Sequence, residues 1–414
     1  MIEKRNFQDF QDFAQREISF AKEHVDDDTA RLLLSASRYP DINMPAAVQQ
    51  IEGLRVARDK WPSLLACDAY RYPPRLNREQ ASSEAVAARR VEECLDDLSL
   101  DGMHVADPAV LHVADLTGGM GIDTLAFAQR VAQVTYVERD AELCALMERN
   151  CKALGMDNVA VVCADSMEWL SHSGQHYDVI FVDPARRDSH GRKMVGFESC
   201  EPNILEHMPL LCQACRYLVV KASPMIDIDL GCRQLRSVSN VFVLVCGGEC
   251  KEVCFMCNNG SEEETVIHSI VVDGDENQYF CITRKEESEA ELVIAERMGR
   301  YLYEPNPAVM KAGAFAMMCE AFPVVSLARN SHLYTSDERV GDFPGRVWEV
   351  VAEVKPNRKD ILAAVPGGRA HVVTRNYPVD AATLQRQMGL KEGGDLFVVA
   401  TTVGSRRTAF LCKM

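Results

Sequence analysis

The chain has 414 residues, a formal net charge of −16 and 47% apolar residues. That length gives a prior of two or three domains with apolar residues enough for sizeable cores. The acidic balance argues against a protein that binds nucleic acid over its whole surface. No run approaches the ~20 apolar residues a membrane helix needs.

In chain order, the first segment, "MIEKRNFQDFQDFAQREISF", mixes charge with apolar residues and has no signal-peptide core, so a cytoplasmic location is expected, with no membrane partner. Three-to-four spacing of apolar residues continues through "MPAAVQQIEGLRVARDKWP", which stops at Pro62, and "NREQASSEAVAARRVEECLDDL", with Ser82 or Ser83 as its cap. Residues 1–105 therefore read as a helical N-terminal domain.

From His112 the rhythm changes. "LHVADL", "QVTYVE", "NVAVVC", "YDVIFVD", "RYLVVK" and "NVFVLVC" are short β-branched runs, and helix-like segments separate the first five. Alternating strand and helix predicts a mostly parallel α/β sheet covered on both faces, with ligands bound outside the carboxyl ends of the strands. "ETVIHSIVVDG" reads as a seventh strand. After Phe322, short strands such as "AHVVTRN" and helices such as "RKDILAAV" make a smaller α/β domain.

Sixteen cysteines are scattered mostly through apolar segments. Cys212 and Cys215, with Cys246, Cys250, Cys254 and Cys257, form two clusters whose C-x-x-C pairs have zinc spacing, and Cys250, Cys254 and Cys257 also have the spacing of radical iron–sulfur ligands. Neither cluster has the glycine- and proline-rich turns of a metal knuckle. They read as buried thiols, with no metal expected.

The strand ends carry the chemistry. Asp115 ends the first strand, Thr117 follows, and Gly118, Gly119 and Gly121 turn the chain into a helix, which allows close backbone approach to a ligand. Thr124 stands where a dinucleotide fingerprint would have its third glycine, which disfavours NAD. Glu138 ends the second strand, placed to accept both hydroxyls of a ribose. Asp165 and Ser166 follow the third, where a carboxylate can accept from an adenine amino group.

"VADLTGGMG", "YVERD", "CADS" and "FVDPAR" resemble the ordered motifs of class I S-adenosylmethionine-dependent methyltransferases. The resemblance implies a seven-stranded Rossmann-like sheet, six strands parallel and one antiparallel, over residues 106–276, with S-adenosyl-L-methionine as cofactor. Asp115, Thr117, Gly119 and Gly121 would lie by its methionine end, Glu138 at the ribose, Asp165 and Ser166 at the adenine, and Asp183 beside the methyl. "EQASSE", "DPARRD", "KASPMIDID", "ECKE" and "YEPNPAVMKAG" are similar to a narrower group in which a ferredoxin-like segment (277–322 here) and a THUMP-like domain (323–414) follow. True THUMP domains accompany RNA-modifying enzymes, so that likeness implies an RNA partner and no DNA; oligomeric state stays open.

Methyltransferases of exocyclic amines end their fourth strand in Asp or Asn, two prolines and an aromatic. Asp183 and Pro184 fit that pattern; Ala185 and Arg186 depart from it. Phe197 or Phe181 would have to supply the missing ring, or Arg186 would stack on the base or hold phosphate together with Arg187, Arg192 and Lys193. The alternative is that Arg186 and Arg187 neutralise nearby acids. Asp-Pro-x-Arg is also similar to RNA 5-methyluridine methyltransferases, but "VVKASPMID" offers no thiol beside Pro224, which disfavours their covalent route. Lys221, at a strand end, either faces the pocket, contacting phosphate or donor, or caps the strand at the surface.

The last 114 residues carry 14 Lys/Arg against 11 Asp/Glu, a net +3 in an acidic chain. Basic clusters at Lys355, Arg358, Lys359, Arg406 and Arg407 are suited to tracking phosphates. The expectation is a methyltransferase acting on a base nitrogen of structured RNA, ribosomal or transfer. The alternatives are a methyltransferase for a small molecule or protein, and a catalytically silent RNA-binding scaffold.

Overall fold

The computed structural model describes residues 7–100, 108–186, 196–258, 264–272 and 278–414. The N-terminal pattern forms helices α1 (Phe7–Glu23), α2 (Thr29–Leu34), α3 (Met44–Lys60), α4 (Arg75–Gln80) and α5 (Glu84–Leu100). The Asn43 side chain caps α3, and Pro62 follows its end. The cap of α5 is Ser83, whose hydroxyl accepts the Val86 N–H, while the Ser82 carbonyl accepts the Trp61 indole N–H at 2.8 Å.

These helices bury a core of their own around Phe20, Leu32, Met44, Val48 and Ile51, and they also pack onto the sheet. Ala57, Trp61 and Tyr72 share one buried cluster with Ile122, Tyr136 and Met147. Asn150 completes the join, accepting the Arg71 N–H and donating to the Arg71 carbonyl, both at 2.9 Å.

The strands of the main sheet are β1 (His112–Asp115), β2 (Gln133–Glu138), β3 (Val159–Cys163) and β4 (Tyr177–Val182), then, past a short antiparallel ribbon of β5 (Ala185–Arg186) and β6 (Cys200–Glu201), β7 (Cys215–Ala222), β8 (Val238–Cys246), β9 (Glu249–Asn258), β10 (Val266–Val271) and β11 (Tyr279–Thr283). Their spatial order is β11-β10-β8-β9-β7-β4-β1-β2-β3. β1 pairs parallel with β2 and β4, β2 with β3, and β4 with β7. The intervening helices are α6 (Ile122–Ala128), α7 (Ala141–Leu154), α8 (Ser166–Ser173), α9 (Ile204–Ala214) and α10 (Ile228–Leu235).

The expected count of seven strands becomes nine. The cysteine-rich stretch is itself a strand, β9, turned back from β8 by Gly247 and Gly248, both at positive φ, as a two-residue hairpin requires. It takes the inserted place between β7 and β8, and "ETVIHSIVVDG" is instead β10, added parallel outside β8, with β11 antiparallel beyond it. Cys254 and Cys257 are buried in β9, and among the described residues no group of three or more His, Cys, Asp or Glu is arranged to hold a metal.

Two compact units divide the chain: 1–239 with 254–262, and 240–253 with 263–414. The second holds α11 (Arg284–Glu289), α12 (Pro307–Ala312), α13 (Met317–Ala321), α14 (Arg358–Ala364), α15 (Ala381–Met388) and a sheet of β12 (Tyr301–Pro305), β13 (Val325–Ser326), β14 (Tyr334–Ser336), β15 (Gly345–Val354), β16 (His371–Thr374), β17 (Leu396–Val403) and β18 (Arg406–Lys413). That sheet runs β13-β14-β12-β15-β18-β17-β16, with only β16 and β17 parallel. Ile361, Leu384, Val398 and Ala400 fill one core beside it, and Trp348 and Phe410 a second. Glu304 on β12 is buried, with Arg375 at 2.6 Å and Arg346 at 3.8 Å. Among the described residues no helix is long and apolar enough to cross a membrane.

Candidate active site

Four consecutive parallel strands end at one cavity of about 650 Å³ in the first unit, walled by Thr117, Gly119, Gly121, Glu138, Asp165, Ser166 and Asp183. The glycine turn has a mechanical reason. A Cβ on Gly118 would stand 2.2 Å from the Tyr136 ring, and Gly121 holds φ +84° with Met147 sulfur 2.5 Å from where its Cβ would be. The Tyr136 hydroxyl donates to the Gly119 carbonyl at 2.8 Å, so the ring also props the loop from behind.

Asp115 lies beneath this loop, 1% exposed, rather than on the cavity wall. It accepts the Thr124 hydroxyl at 2.6 Å and the Thr117 N–H at 3.1 Å. Burial pushes its pKa up to about 6, with the two hydrogen bonds opposing the rise. Thr117 lies against Asp115 Oδ1 at 3.5 Å and accepts the Asp183 backbone N–H at 2.7 Å through its own hydroxyl. The glycine turn and the end of β4 are thereby tied together.

Glu138 accepts the Gly119 N–H at 3.0 Å on one oxygen and the Asp140 N–H at 2.9 Å on the other. Asp165 caps α8, one oxygen accepting from Met167 and Glu168 at 3.1 and 3.0 Å. Each carboxylate oxygen carries two lone pairs, so both groups keep acceptor capacity toward the cavity while the backbone fixes their aim.

Asp183 lines this cavity and a smaller one of about 40 Å³ shared with Pro184, Phe197, Lys221 and Ser223. Of the two places expected for Lys221, it takes the one facing a pocket: the side chain is 10% exposed, lines the smaller cavity and donates to Asp183 Oδ2 at 2.6 Å rather than capping a surface strand. Phe197 and Phe181 are each 1% exposed. Phe197 packs edge-on against Phe255 at 5.6 Å and Phe181 against Phe127 at 5.9 Å, so neither offers the main cavity a stacking face. Arg186 lies in the ribbon, its backbone paired with Cys200. Arg187, Arg192 and Lys193 fall outside the described residues.

Family models match three stretches: conserved hypothetical protein 95 over 102–196, a ferredoxin-like domain over 301–344 and a THUMP domain-like module over 345–414. A Mycobacterium tuberculosis protein, named an uncharacterized S-adenosylmethionine-dependent methyltransferase in strains CDC 1551 and H37Rv, is 24% identical over 322 residues, 73% of this chain and 81% of its own. A crystal structure from Porphyromonas gingivalis W83, solved as a candidate methyltransferase, is similar at a TM-score of 0.84 and 27% identity, over 97% of this chain and 98% of that one.

This is a class I methyltransferase fold.

The methyltransferase cavity has walls that strand-end reasoning missed. Asn77 and Gln80 reach it from α4, and Asn203, Glu206 and His207 from the start of α9. Arg139, just past β2, bridges to Glu201 of the ribbon at 2.7 Å. Eight carboxylate residues line the cavity against one guanidinium. Such a wall favours a cationic ligand. The "NREQASSE" stretch did hold a signal, an amide-rich helix ahead of the sheet, but nothing in the sequence said which face it would cover.

Proposed function

We propose that this protein is an S-adenosylmethionine-dependent methyltransferase acting on a base nitrogen of structured RNA. One observation carries the donor assignment: Glu138 and Asp165, at the ends of adjacent strands, face one cavity with the glycine turn and Asp183. The cavity fits the cofactor in volume, in its acidic wall and in the bare backbone at Gly119. When bound, S-adenosylmethionine would supply a sulfonium-bound methyl whose carbon an in-line nucleophile attacks, the neutral thioether leaving with the C–S electron pair. Glu138 receives the ribose hydroxyls and Asp165 the adenine amino group. Asp183 accepts from the acceptor amine and aims its lone pair, and Pro184 fixes the turn that holds it. Alignment of this kind supplies much of the barrier reduction for a displacement. No Phe, Tyr or Trp stands among the described residues that line the main cavity, which leaves stacking on the base to Arg186 and Arg187 in this reading.

RNA as acceptor is supported by the THUMP domain-like match and the basic clusters of 345–414. A second reading, a small-molecule or protein acceptor, is favoured by the acidic cavity wall, which would repel a phosphate backbone. Methyl-labelled donor incubated with total RNA separates the two. The RNA reading expects label in nucleosides, lost on ribonuclease treatment and reduced at least a hundredfold in Asp183→Ala. Label that survives ribonuclease supports the second reading, and full transfer by Asp183→Ala removes the role given to that carboxylate.

A further inference from the structure

Four charged side chains of the first unit form an alternating line, of which Asp123 and Asp183 line the cavity. Arg90, on α5, is 0% exposed and ion-paired with Asp123, in the first turn of α6. Its guanidinium also sits 5.2 Å from the ring centroid of Phe181, two residues before Asp183. Asp123 Oδ2 is 4.0 Å from Lys221 Nζ, and Lys221 donates to Asp183 Oδ2 at 2.6 Å. Side-chain exposure is 14% at Asp123, 10% at Lys221 and 37% at Asp183, so only the last member reaches well into the open.

We infer that Arg90 of the N-terminal helical region is a positioning residue for methyl transfer, acting through Asp123 and Lys221 on Asp183. This rests on the reading of Asp183 as the group that aims the acceptor. A lysine stem is flexible and its ammonium goes to the stronger carboxylate. Among the described residues two carboxylates, Asp183 and Asp123, lie within 4.0 Å of Lys221, and Arg90 biases the choice by pairing with Asp123. With Asp123 satisfied, the ammonium sits on Asp183 and fixes the rotation of that carboxylate. Among the described residues no hydrogen bond claims Asp183 Oδ1, which is left for the acceptor. Without Arg90, Asp123 becomes a nearly buried, unpaired charge, and such a charge takes the nearest cation. Lys221 would then move from 4.0 Å to hydrogen-bond distance of Asp123 and release Asp183.

The test uses the full chain, methyl-labelled S-adenosylmethionine and a cell extract retaining both RNA and protein, so that it does not depend on which is the acceptor. Arg90→Met is expected to lower the rate at saturating donor roughly tenfold to a hundredfold, with donor affinity by calorimetry unchanged within about twofold. In an Asp183→Ala background the same substitution is expected to change nothing further, the mark of residues acting as one unit. A crystal structure of Arg90→Met should show Lys221 bonded to Asp123. Arg90→Lys, which keeps the charge, should recover most of the rate, and it is read in the same two backgrounds if Arg90→Met does not fold. An undiminished rate in Arg90→Met, an equal loss in both backgrounds, or Lys221 still on Asp183 in the variant crystal overturns the inference. Full activity in Asp183→Ala alone is a different result, because it removes the role of Asp183 itself.

Discussion

Asp115 and Glu304 are both carboxylates shut away near the ends of strands, one in each unit, at 1% and 3% exposure. Asp115 is held by neutral donors, a threonine hydroxyl and a backbone N–H. Glu304 is held by two guanidinium groups, Arg375 and Arg346, that remain 41% and 58% exposed. Burial raises the pKa of both, but at Glu304 the two arginines oppose it with full charges. The contrast shows two ways of keeping a carboxylate dry. Neutral donors place it rigidly and leave its ionisation costly, as suits a support beneath a binding loop. Ion pairs whose far ends touch water cost less, and they tie β12 to its neighbour β15 through Arg346 and to the segment after β16 through Arg375.

The largest expected difference between the two is in activity. Asp115→Ala strands the Thr124 hydroxyl and the Thr117 N–H and loosens the threonine that holds Asp183. It should destabilise the chain by about 2–4 kcal/mol and cut methyl transfer by more than about a hundredfold, read by denaturant unfolding and labelled-donor turnover. Unchanged turnover would mean that the loop does not depend on its buried support.

A pH series sharpens the comparison. The folded pKa of Asp115, about 6, lies above the ~3.9 of an exposed aspartate. Between these values the folded chain holds a proton that the unfolded chain has lost, so this group's contribution to stability is fully present below about pH 4 and is lost as pH rises through 6. The loss is about 2–3 kcal/mol. Asp115→Asn should therefore gain on the wild type by about that amount between pH 4 and pH 7 in matched unfolding curves, and a pH-independent difference would refute the assignment. The smallest effect should come from Glu304→Ala. Arg375 and Arg346 turn toward water, so the cost should be about 1–2 kcal/mol rather than the larger penalty of stranding a buried charge. Donor affinity should not change by calorimetry.

How much of this was legible in the sequence depends on the distance over which each feature is made. Glu138, Asp165 and Asp183 were readable because a strand-end carboxylate is announced by the β-branched run just before it. The glycine turn was readable for the same local reason, although the sequence could not show that Gly118 is dictated by the Tyr136 ring. Lys221 and Asp183 are 38 residues apart and meet only because β4 and β7 are neighbours, so their bond was invisible. Arg90 is farther still, and one of two adjacent arginines in a charged helix looks like surface. The strand β9 was missed for a different reason. Its cysteines drew a metal question, while the Gly247-Gly248 turn beside them was the stronger signal. Family models begin the ferredoxin-like and THUMP domain-like modules at 301 and 345, where β12 and β15 start. Composition alone gave no such edge, since both modules share one sheet.

The Thr117 hydroxyl has one further consequence. Its oxygen accepts the amide hydrogen of Asp183 and so restrains the peptide plane just ahead of that carboxylate. A valine there would keep the shape and lose the tether, leaving the Asp183 amide without its hydroxyl acceptor beside the cavity. Tolerance at position 117 is thus narrower than its size implies: serine fits the electrostatics, and no isostere without oxygen does.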